Sequence, residues 1–547
     1  MAIEANNAIK RRIVLLKQSP KYVFNGARTV SLYLERYGMP SEVIETASIK
    51  RSYSGRALER QNTQYDRIIE DIKGIQPRII GVSLMSPGIP DYIRLLNKLV
   101  TVSPNMNQDA VFVFGGSGAI TNPRFVLDSF SFLRNIIVVA TSGEEIMKRI
   151  AEKGEMDKIL AANTMLPHTL IKQGKKLIDN LFMDDTQLIK NRLQPAEAQR
   201  ILIERDPNAM LMEPGGILPD TPEFRPGIPY FIDLYCKARC KFCSMSNDDF
   251  ARLAKLRSVT SEEYDETIQE ALRFFLAATK TLPKGRIILF GDDMFTDAEF
   301  LGKFVNTLYA AKEELKGWDF IANARPHTVV MNGKEEILSK MREIGFEFIT
   351  LGIETFDPSF MRSMGKATTL DKNLTAIKML NKAGINATMN YITFYPSATM
   401  GSIRLDLAEA INAHEKQGLY LALHQIMLAV HETAFSKEYA DCIEYETVDT
   451  ISGKKDIPKY IFPRDQDVRR VQDIMIKKYK EIQNALNEAV PNIIITRTFE
   501  ALIYFNVLSK EIKEDRLAER YQNALQKYTE LYPLEHRENL KKVLNSI

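Results

Sequence analysis

The first 155 residues alternate short apolar runs with amphipathic segments. Runs rich in Val, Ile and Phe predict buried strands, as in PRIIGVSL at 77–84 and VFVFGG at 110–116. Segments with apolar residues three or four positions apart predict helices, as in ARTVSLYLERYG at 27–38. Because strands and helices alternate at this spacing, the pattern favours a doubly wound parallel sheet.

A second alternating series follows an irregular stretch. Residues 156–225 are less periodic, and the Pro and Gly residues of EPGGILPDTPEFRPGIP predict an extended linker. Beyond residue 226, predicted strands again alternate with helices, near 230–235, 286–290, 319–324, 346–351, 386–394 and 419–430. These βα units are too few to close an eight-stranded barrel, so they predict a partial barrel.

The last segment is charged and predominantly helical in pattern, with one strand-like run, NIIIT, at 492–496. The predicted fold is therefore α/β with a mainly helical end. Its four segments are a flavodoxin-like sheet at 1–155, a linker at 156–225, a partial (β/α)6 TIM-like barrel at 226–450 and a helical domain at 451–547.

Composition and charge restrict the class of protein further. The 547 residues are 45% hydrophobic and 26% charged, which is ordinary for a globular protein. A formal net charge of +3 gives no electrostatic footprint for nucleic acid. The N-terminal apolar run is only Ile13 to Leu16, too short for a signal peptide or a membrane span. We therefore expect a cytoplasmic protein that binds neither nucleic acid nor membranes.

Three of the four cysteines lie within YCKARCKFC, directly after the first predicted strand of the second series. Cys236, Cys240 and Cys243 form the pattern C-x3-C-x2-C. A four-iron cluster normally takes four thiolates, so a cluster held by three has one iron with an open coordination position. The alternative is a zinc site with a distant histidine or Cys442 as fourth ligand. Zinc sites prefer paired C-x2-C knuckles, and the sequence has no second knuckle.

The cysteine motif, with the aromatic Phe242 before its last cysteine, resembles that of the radical S-adenosylmethionine (SAM) enzymes. The resemblance implies a 4Fe–4S cluster on Cys236, Cys240 and Cys243, with SAM chelated at the open iron and cleaved reductively to a 5′-deoxyadenosyl radical. It also implies a small-molecule substrate and an electron donor such as flavodoxin or ferredoxin. The side chains that act on the substrate remain open.

Further segments resemble SAM-binding strand ends of the same superfamily. IILFGDD at 287–293 is similar to a Gly-Gly-Glu segment whose backbone and carboxylate hold the ammonium group of SAM, with a shorter acid here. An acidic helix cap is the alternative at this position, and a surface ion pair is the alternative for Glu354. The resemblance implies that SAM is bound by Gly291, Asp292, Asp293, Arg325, Glu354 and Asn390.

The N-terminal segment resembles the cobalamin-binding domain that precedes some radical SAM cores. The likeness covers residues 11–155 and includes VFVFGGSGAITNPRFVLD and VVATSGEEIMKRI. Glycines at strand ends let a large ligand approach the backbone, and the resemblance implies that Gly115 and Gly116 bind cobalamin. The Asp-x-His-x-x-Gly motif is absent, and no histidine precedes His168. Cobalamin binding and a relic domain without cobalamin both remain open.

The leading hypothesis is a radical SAM enzyme that generates a substrate carbon radical, for a cobalamin-dependent methylation or rearrangement of a small molecule. One alternative is a cobalamin-independent enzyme of the same superfamily, for example one that transfers the aminocarboxypropyl group of SAM. Another is a non-catalytic, zinc-bearing binding module. An RNA methylthiotransferase is disfavoured because the extra N-terminal cysteines of those enzymes are absent and the net charge is near neutral.

Overall fold

A computed structural model describes most of the chain. The described residues are 13–18, 26–46, 55–84, 88–141, 143–153, 156–161, 166–183, 200, 203, 227–232, 234, 236–282, 285–290, 293–424, 427–428, 433–489 and 496–546. Gly291 and Asp292 lie outside these residues, as does all of the NIIIT run except Thr496.

The first sheet has seven strands in the order β2-β1-β3-β4-β5-β6-β7. They are β1 (Ile13–Gln18), β2 (Glu42–Thr46), β3 (Ile79–Ser83), β4 (Val111–Gly115), β5 (Asn135–Val139), β6 (Thr169–Gln173) and β7 (Lys176–Asp179). Strands β1 to β5 are parallel, in the 2-1-3-4-5 order of flavodoxin-like folds, which confirms the predicted fold. Strands β6 and β7 pair antiparallel within the predicted linker, so the sheet extends beyond residue 155.

Both faces of this sheet are buried. Val14 and Leu16 pack into one apolar core, whereas Ile13 and Leu15 pack into another, as expected when successive side chains of a strand point to opposite faces. The helices of this region are α1 (Gly26–Arg36), α2 (Gly55–Ile75), α3 (Ile89–Val102), α4 (Pro104–Asp109), α5 (Ser117–Thr121), α6 (Pro123–Ser129), α7 (Gly143–Lys153) and α8 (Met156–Ala161).

The second sheet has six parallel strands in simple sequential order, from β8 at one edge to β13 at the other. They are β8 (Gly227–Phe231), β9 (Arg286–Phe290), β10 (Asp319–Ala324), β11 (Phe346–Glu354), β12 (Asn386–Ile392) and β13 (Tyr420–His424). The two edge strands do not pair with each other in the described part of the chain. This is the predicted partial (β/α)6 barrel.

Helices surround the barrel strands and continue to the C-terminus. Those of the barrel are α9 (Asp248–Arg257), α10 (Tyr264–Thr281), α11 (Ala298–Ala310), α12 (Pro326–Asn332), α13 (Glu335–Ile344), α14 (Pro358–Ser363), α15 (Leu370–Lys382), α16 (Met400–Gln417) and α17 (Ala434–Glu438). Those of the C-terminal region are α18 (Gln466–Ala489), α19 (Arg497–Glu511), α20 (Asp515–Thr529) and α21 (Leu534–Ser546). None of the described helices is long and apolar enough to cross a membrane.

The C-terminal helices cover the edge of the barrel at β13. The Thr498 hydroxyl of α19 accepts a hydrogen bond from the Leu421 N–H at 2.9 Å and donates one to the Leu421 carbonyl at 3.1 Å. Both polar groups of this edge residue are therefore satisfied, which protects the edge against pairing with another chain.

A third, antiparallel sheet consists of β14 (Met427–Leu428), β15 (Ile443–Thr450) and β16 (Gly453–Ile461). The sequence pattern did not predict β15 and β16, whereas the short strand β14 lies within the strand predicted near 419–430. The β15–β16 hairpin spans the predicted boundary at residue 450. Val448 and Ile457 of this hairpin pack into a core of the first domain. Glu446 accepts a hydrogen bond from Arg94, and Lys455 Nζ lies 3.2 Å from both Asp128 carboxylate oxygens. The hairpin thus joins the first domain to the barrel.

A buried polar network fixes the turn that follows β11. The carboxylate of Asp406, on α16, accepts hydrogen bonds from the Thr355 hydroxyl at 2.6 Å and from the Phe356 N–H. Asp357 accepts a hydrogen bond from the Tyr395 hydroxyl at 2.8 Å. Burial raises the pKa of Asp406 from its ordinary value of 3.8 to about 7, and the charge of Asp357 adds to the shift.

We expect Asp406→Asn to remove a pH dependence of stability. Since the folded state binds the Asp406 proton more tightly than the unfolded state, wild-type stability falls as the pH rises from about 4 to about 7. The Asn side chain cannot ionise and can accept from Phe356 while donating to Thr355. At pH 8 the variant should melt about 2–4 °C higher, the shift given by 1 kcal/mol in a domain of 150–250 residues. Circular dichroism melts at pH 5 and pH 8 test this; an identical pH dependence in both proteins would contradict it.

Candidate active site

A cavity of about 300 Å³ opens at the carboxyl ends of the barrel strands. It is lined by the loop that follows β8, by the ends of β10, β11 and β12, and by the segment after α14. The carboxyl ends of parallel barrel strands are where such folds hold their chemistry. The cavity brings together most of the residues predicted from the sequence, namely Cys236, Cys240, Cys243, Arg325, Glu354 and Asn390.

The cysteine loop is held in place by its own backbone. Lys241 donates its N–H to the Met364 carbonyl at 2.8 Å, and its carbonyl accepts from the Phe435 N–H at 3.0 Å and the Ser246 hydroxyl at 2.8 Å. Cys236 is buried, and Cys240 and Cys243 are partly buried. Lys241 thus pins the centre of the loop between α14 and α17, with the three thiols at the cavity wall.

The thiols fit the requirements of a cluster better than those of a single metal ion. Within the described ranges, no three His, Cys, Asp or Glu side chains are arranged to hold one ion. A four-iron cluster does not need such convergence, because each thiolate binds its own iron. Cys442 does not line the cavity, and it packs instead in the apolar core of the barrel.

Charges near the loop influence the thiol of Cys240. Burial raises its pKa, and the negative charge of Glu354 acts in the same direction. The positive charges of Lys366 and Arg325 oppose this shift, and cations of this kind favour the thiolate form that binds metal. The cavity therefore carries its own positive charge beside the thiols.

Glu354 ends β11 with its side chain in the cavity. Its φ of 67° lies in the left-handed region, which is rare for residues other than glycine and clusters at functional sites. The Glu354 side chain is only 14% exposed, and its Oε1 lies 3.3 Å from Lys366 Nζ. The carboxylate is thus held in the cavity by an ion pair, and the alternative of a surface ion pair does not describe it.

Lys366 is the functional candidate that the sequence analysis missed. Its ammonium also donates to the Gly352 carbonyl at 2.5 Å and lies 5.6 Å from the centre of the Phe242 ring. Lys366 therefore connects the end of β11 to the cysteine loop. The sequence MGK at 364–366 contains this lysine, but its position in the sequence does not show that it contacts Glu354.

Asp293, one of the predicted SAM-binding residues, contacts Arg325 rather than the cavity. It is fully buried and is absent from the cavity wall. Its oxygens accept hydrogen bonds from Arg325 Nε at 2.7 Å, the Thr328 hydroxyl at 2.9 Å and the Phe295 N–H at 3.1 Å. Asp293 thus orients Arg325, which does line the cavity. The predictions for Gly291 and Asp292 fall outside the described residues.

Two other polar side chains line the same cavity. Asn390, on β12, is one of them, whereas the next residue, Tyr391, is buried on the other side of the strand in the barrel core, as strand alternation requires. His327 Nδ1 lies 3.4 Å from Lys372 Nζ. Partial burial and the charges of Lys372 and Arg325 lower the pKa of His327, which favours its neutral form.

A second, smaller cavity lies in the first domain. It has a volume of about 200 Å³ and is lined by the ends of β3, β4 and β5 and the start of α7. Gly116 has a φ of 86°, and a Cβ there would lie 2.7 Å from the Leu84 carbonyl oxygen, so the site requires glycine. A Cβ on Gly115 would meet nothing within 4 Å. The predicted glycines therefore border open space at the strand ends.

The first domain also packs against the helix that follows the cysteine loop. Leu253 of α9 lies in a core of the first domain. Arg252 stacks over the Phe182 ring at 3.9 Å, and Asp249 pairs with Arg124 at 2.7 Å. The cysteine loop is thus only a few residues away in sequence from an interface with the first domain.

The central part of the chain matches a known protein family. Residues 233–408 match the family described as the Radical SAM superfamily. The chain is similar to the anaerobic magnesium-protoporphyrin IX monomethyl ester cyclase of Cereibacter sphaeroides, at 23% identity over 338 residues, which are 60% of this chain and 48% of that protein. The chain spans about half the length of the first curated relatives that it matches.

Two solved structures share the fold over most of the chain. The cobalamin-dependent SAM radical enzyme OxsB, with aqua-cobalamin and SAM bound, aligns with a TM-score of 0.53 and 14% identity, over 99% of this chain and 85% of that one. The radical SAM methyltransferase TsrM from Kitasatospora setae, with cobalamin and a 4Fe–4S cluster bound, aligns with a TM-score of 0.54 and 12% identity, over 94% and 99%. At these identities the likeness is one of fold.

The cofactors implied by the matched family are a 4Fe–4S cluster and SAM. Three thiols and a set of polar side chains meet at one cavity, and this donor set suits both groups. Residues 233–408 therefore match the Radical SAM superfamily, and the chain as a whole shares its fold with OxsB and TsrM.

Proposed function

We propose that this protein generates a carbon radical on a small-molecule substrate and uses cobalamin to methylate or rearrange it. The observation that carries the proposal is the cavity that joins the three cysteines of the loop to Arg325 and Glu354. A cluster bound there supplies the electron that cleaves SAM. The chain's own residues supply the ligands, the orientation of SAM and the exclusion of water.

The side chains of the cavity divide this work. Cys236, Cys240 and Cys243 hold the cluster as thiolates. Glu354 accepts hydrogen bonds from the ammonium or the ribose hydroxyls of SAM, and Lys366 holds the Glu354 carboxylate in position. Arg325, oriented by Asp293, offers donors to an anionic group.

The cobalamin part of the proposal rests on the first domain. Its flavodoxin-like sheet carries a cavity at Gly115 and Gly116, at the carboxyl ends of the strands, where open α/β sheets bind ligands. The OxsB and TsrM structures that share the fold contain cobalamin. No histidine precedes His168, so we propose that cobalamin takes no axial histidine from residues 1–167.

The proposal also includes the electron donor, the cellular compartment and the bounds of the domains. The reductant is an electron donor such as flavodoxin or ferredoxin, and the reaction takes place in the cytoplasm without nucleic acid. We propose that the radical SAM core, predicted as 226–450, extends through the β15–β16 hairpin to residue 461, and that the rest of the predicted 451–547 segment is the helical C-terminal domain. The first domain includes β6 and β7, because they belong to its sheet.

Replacement of any one loop cysteine by Ala should remove most of the iron and all SAM cleavage. A four-iron cluster held by only two thiolates would have two irons without a protein ligand instead of one. Iron content and 5′-deoxyadenosine formation after anaerobic reconstitution measure the effect. Cys442→Ala is the matched control, because Cys442 lies outside the cavity. Full iron in a protein with Cys236, Cys240 and Cys243 all changed to Ala would refute the proposal.

Glu354→Gln should weaken SAM binding roughly ten- to a hundredfold. Charge-assisted hydrogen bonds contribute about 1.5–3 kcal/mol, and 1.4 kcal/mol corresponds to a factor of ten. Isothermal titration of SAM into the cluster-loaded protein gives the dissociation constants. Glu343→Gln, on the exposed side of α13, serves as the control. An unchanged dissociation constant for Glu354→Gln would remove this residue from the binding site.

Wild-type protein reconstituted with hydroxocobalamin should retain it stoichiometrically through gel filtration. Gly116→Ala should lose it, because the added Cβ would clash with Leu84 at the cavity. Gly38→Ala is the control: Gly38 also has a positive φ, of 72°, but lies in open space away from the cavity. If the wild type retains no corrinoid at micromolar concentration, the protein is a cobalamin-independent radical enzyme.

A further inference from the structure

The cavity of the first domain has the size and character of a site for one aromatic base. Its walls are mostly apolar, with Leu15, Val30, Val113 and Met147 among them. An apolar cavity of about 150 Å³ accommodates benzene, so a volume of about 200 Å³ suits a single bicyclic ring. A whole corrin ring is far larger and has to lie outside the cavity.

Glu144 is the one acidic side chain in this apolar wall. It is the second residue of α7 and is 8% exposed. Its Oε2 atom is buried and has no hydrogen-bond partner among the described residues. Burial raises the pKa of Glu144, which favours a protonated carboxyl group that can donate.

The neighbouring carboxylate, that of Glu145, differs in having hydrogen-bond partners within the protein. Glu145 is also buried, but its carboxylate accepts from the Tyr33 hydroxyl at 3.0 Å and from Arg149 Nε at 3.1 Å. Glu145 is therefore satisfied by the protein itself. A buried polar group without a partner destabilises the fold, so the carboxyl of Glu144 in a ligand-sized cavity points to a partner supplied by a ligand.

We propose that Glu144 selects the lower base of the corrinoid by sharing one proton with its free ring nitrogen. This inference rests on the cobalamin binding proposed above. An azole base that has left the cobalt carries an unliganded ring nitrogen, which accepts from a carboxyl or, when protonated, donates to a carboxylate. A phenolic lower base has no such nitrogen. The cavity should therefore prefer benzimidazolyl corrinoids to phenolyl ones.

The test compares two corrinoids with the full-length, cluster-loaded protein. Hydroxocobalamin carries a benzimidazole base and p-cresolylcobamide carries a phenolic one. Hydroxocobalamin must exchange its base for another ligand at cobalt before the ring nitrogen is free, whereas p-cresolylcobamide need not, so Glu144 is measured by the change in the ratio of the two affinities on mutation. We expect Glu144 to raise the affinity for hydroxocobalamin relative to p-cresolylcobamide about ten- to a hundredfold, the range that one hydrogen bond to a charged or ionisable group gives. Spectral titration measures both dissociation constants. It also reports whether the base of hydroxocobalamin has left the cobalt, as the proposal requires.

Two variants separate selection from folding. Glu144→Met fills the same space without a polar group and should lose this relative gain for hydroxocobalamin, while binding p-cresolylcobamide as the wild type does. Glu144→Gln keeps an N–H donor and should retain most of the preference. Without corrinoid, Glu144→Met should melt at the same temperature as the wild type or higher, because it removes a buried carboxyl group whose Oε2 atom has no hydrogen-bond partner among the described residues. Met147→Leu is the control for an apolar change in the same wall.

The outcomes also separate this inference from the proposed function. If Glu144→Met leaves the ratio of the two affinities as it is in the wild type, Glu144 does not select the base and cobalamin binding stands without it. If the wild type binds neither corrinoid, cobalamin binding fails and this inference fails with it.

Discussion

The candidate active site depends on the two backbone hydrogen bonds that Lys241 makes to separate segments. Its N–H bonds to Met364 and its carbonyl accepts from Phe435. Met364 lies two residues before Lys366, whose ammonium reaches back to Glu354 and Gly352. The cysteine loop, the end of β11 and the segment after α14 are therefore held as one unit. A cluster bound to the loop would be fixed relative to Glu354 and Lys366.

The strained backbone of Glu354 belongs to the same unit. A non-glycine residue in the left-handed region persists only when its surroundings hold it there. The following residues, Thr355 and Phe356, are hydrogen-bonded to the buried carboxylate of Asp406. Lys366 holds the side chain from the other side. The position of the carboxylate in the cavity is thus set by contacts from α16 and from the segment after α14.

Local patterns predicted the alternation of strands and helices and the position of the cysteine loop, because both follow from short-range signals. The apolar runs gave the two parallel sheets, and the cysteine spacing located the loop. The ion pair between Asp293 and Arg325 could not be predicted, since it depends on a contact between the ends of two strands. The contact of Lys366 with Glu354 likewise bridges twelve residues through the fold. The β15–β16 hairpin did leave a signal: IEYETVDT alternates in polarity and a Ser-Gly pair follows it closely.

The β15–β16 hairpin makes the first domain depend on a distant part of the chain for its own core. Val448 and Ile457 come from far downstream in sequence, yet they complete an apolar core of the N-terminal sheet. The N-terminal domain is consequently not a detachable module: a chain cut after residue 225 would lack part of its own interior. Selection for a soluble, folded enzyme would preserve the domain even in a descendant that no longer used a corrinoid. The domain can therefore be inherited without its cofactor. The residues of the small cavity, rather than the persistence of the fold, show whether cobalamin binding was kept.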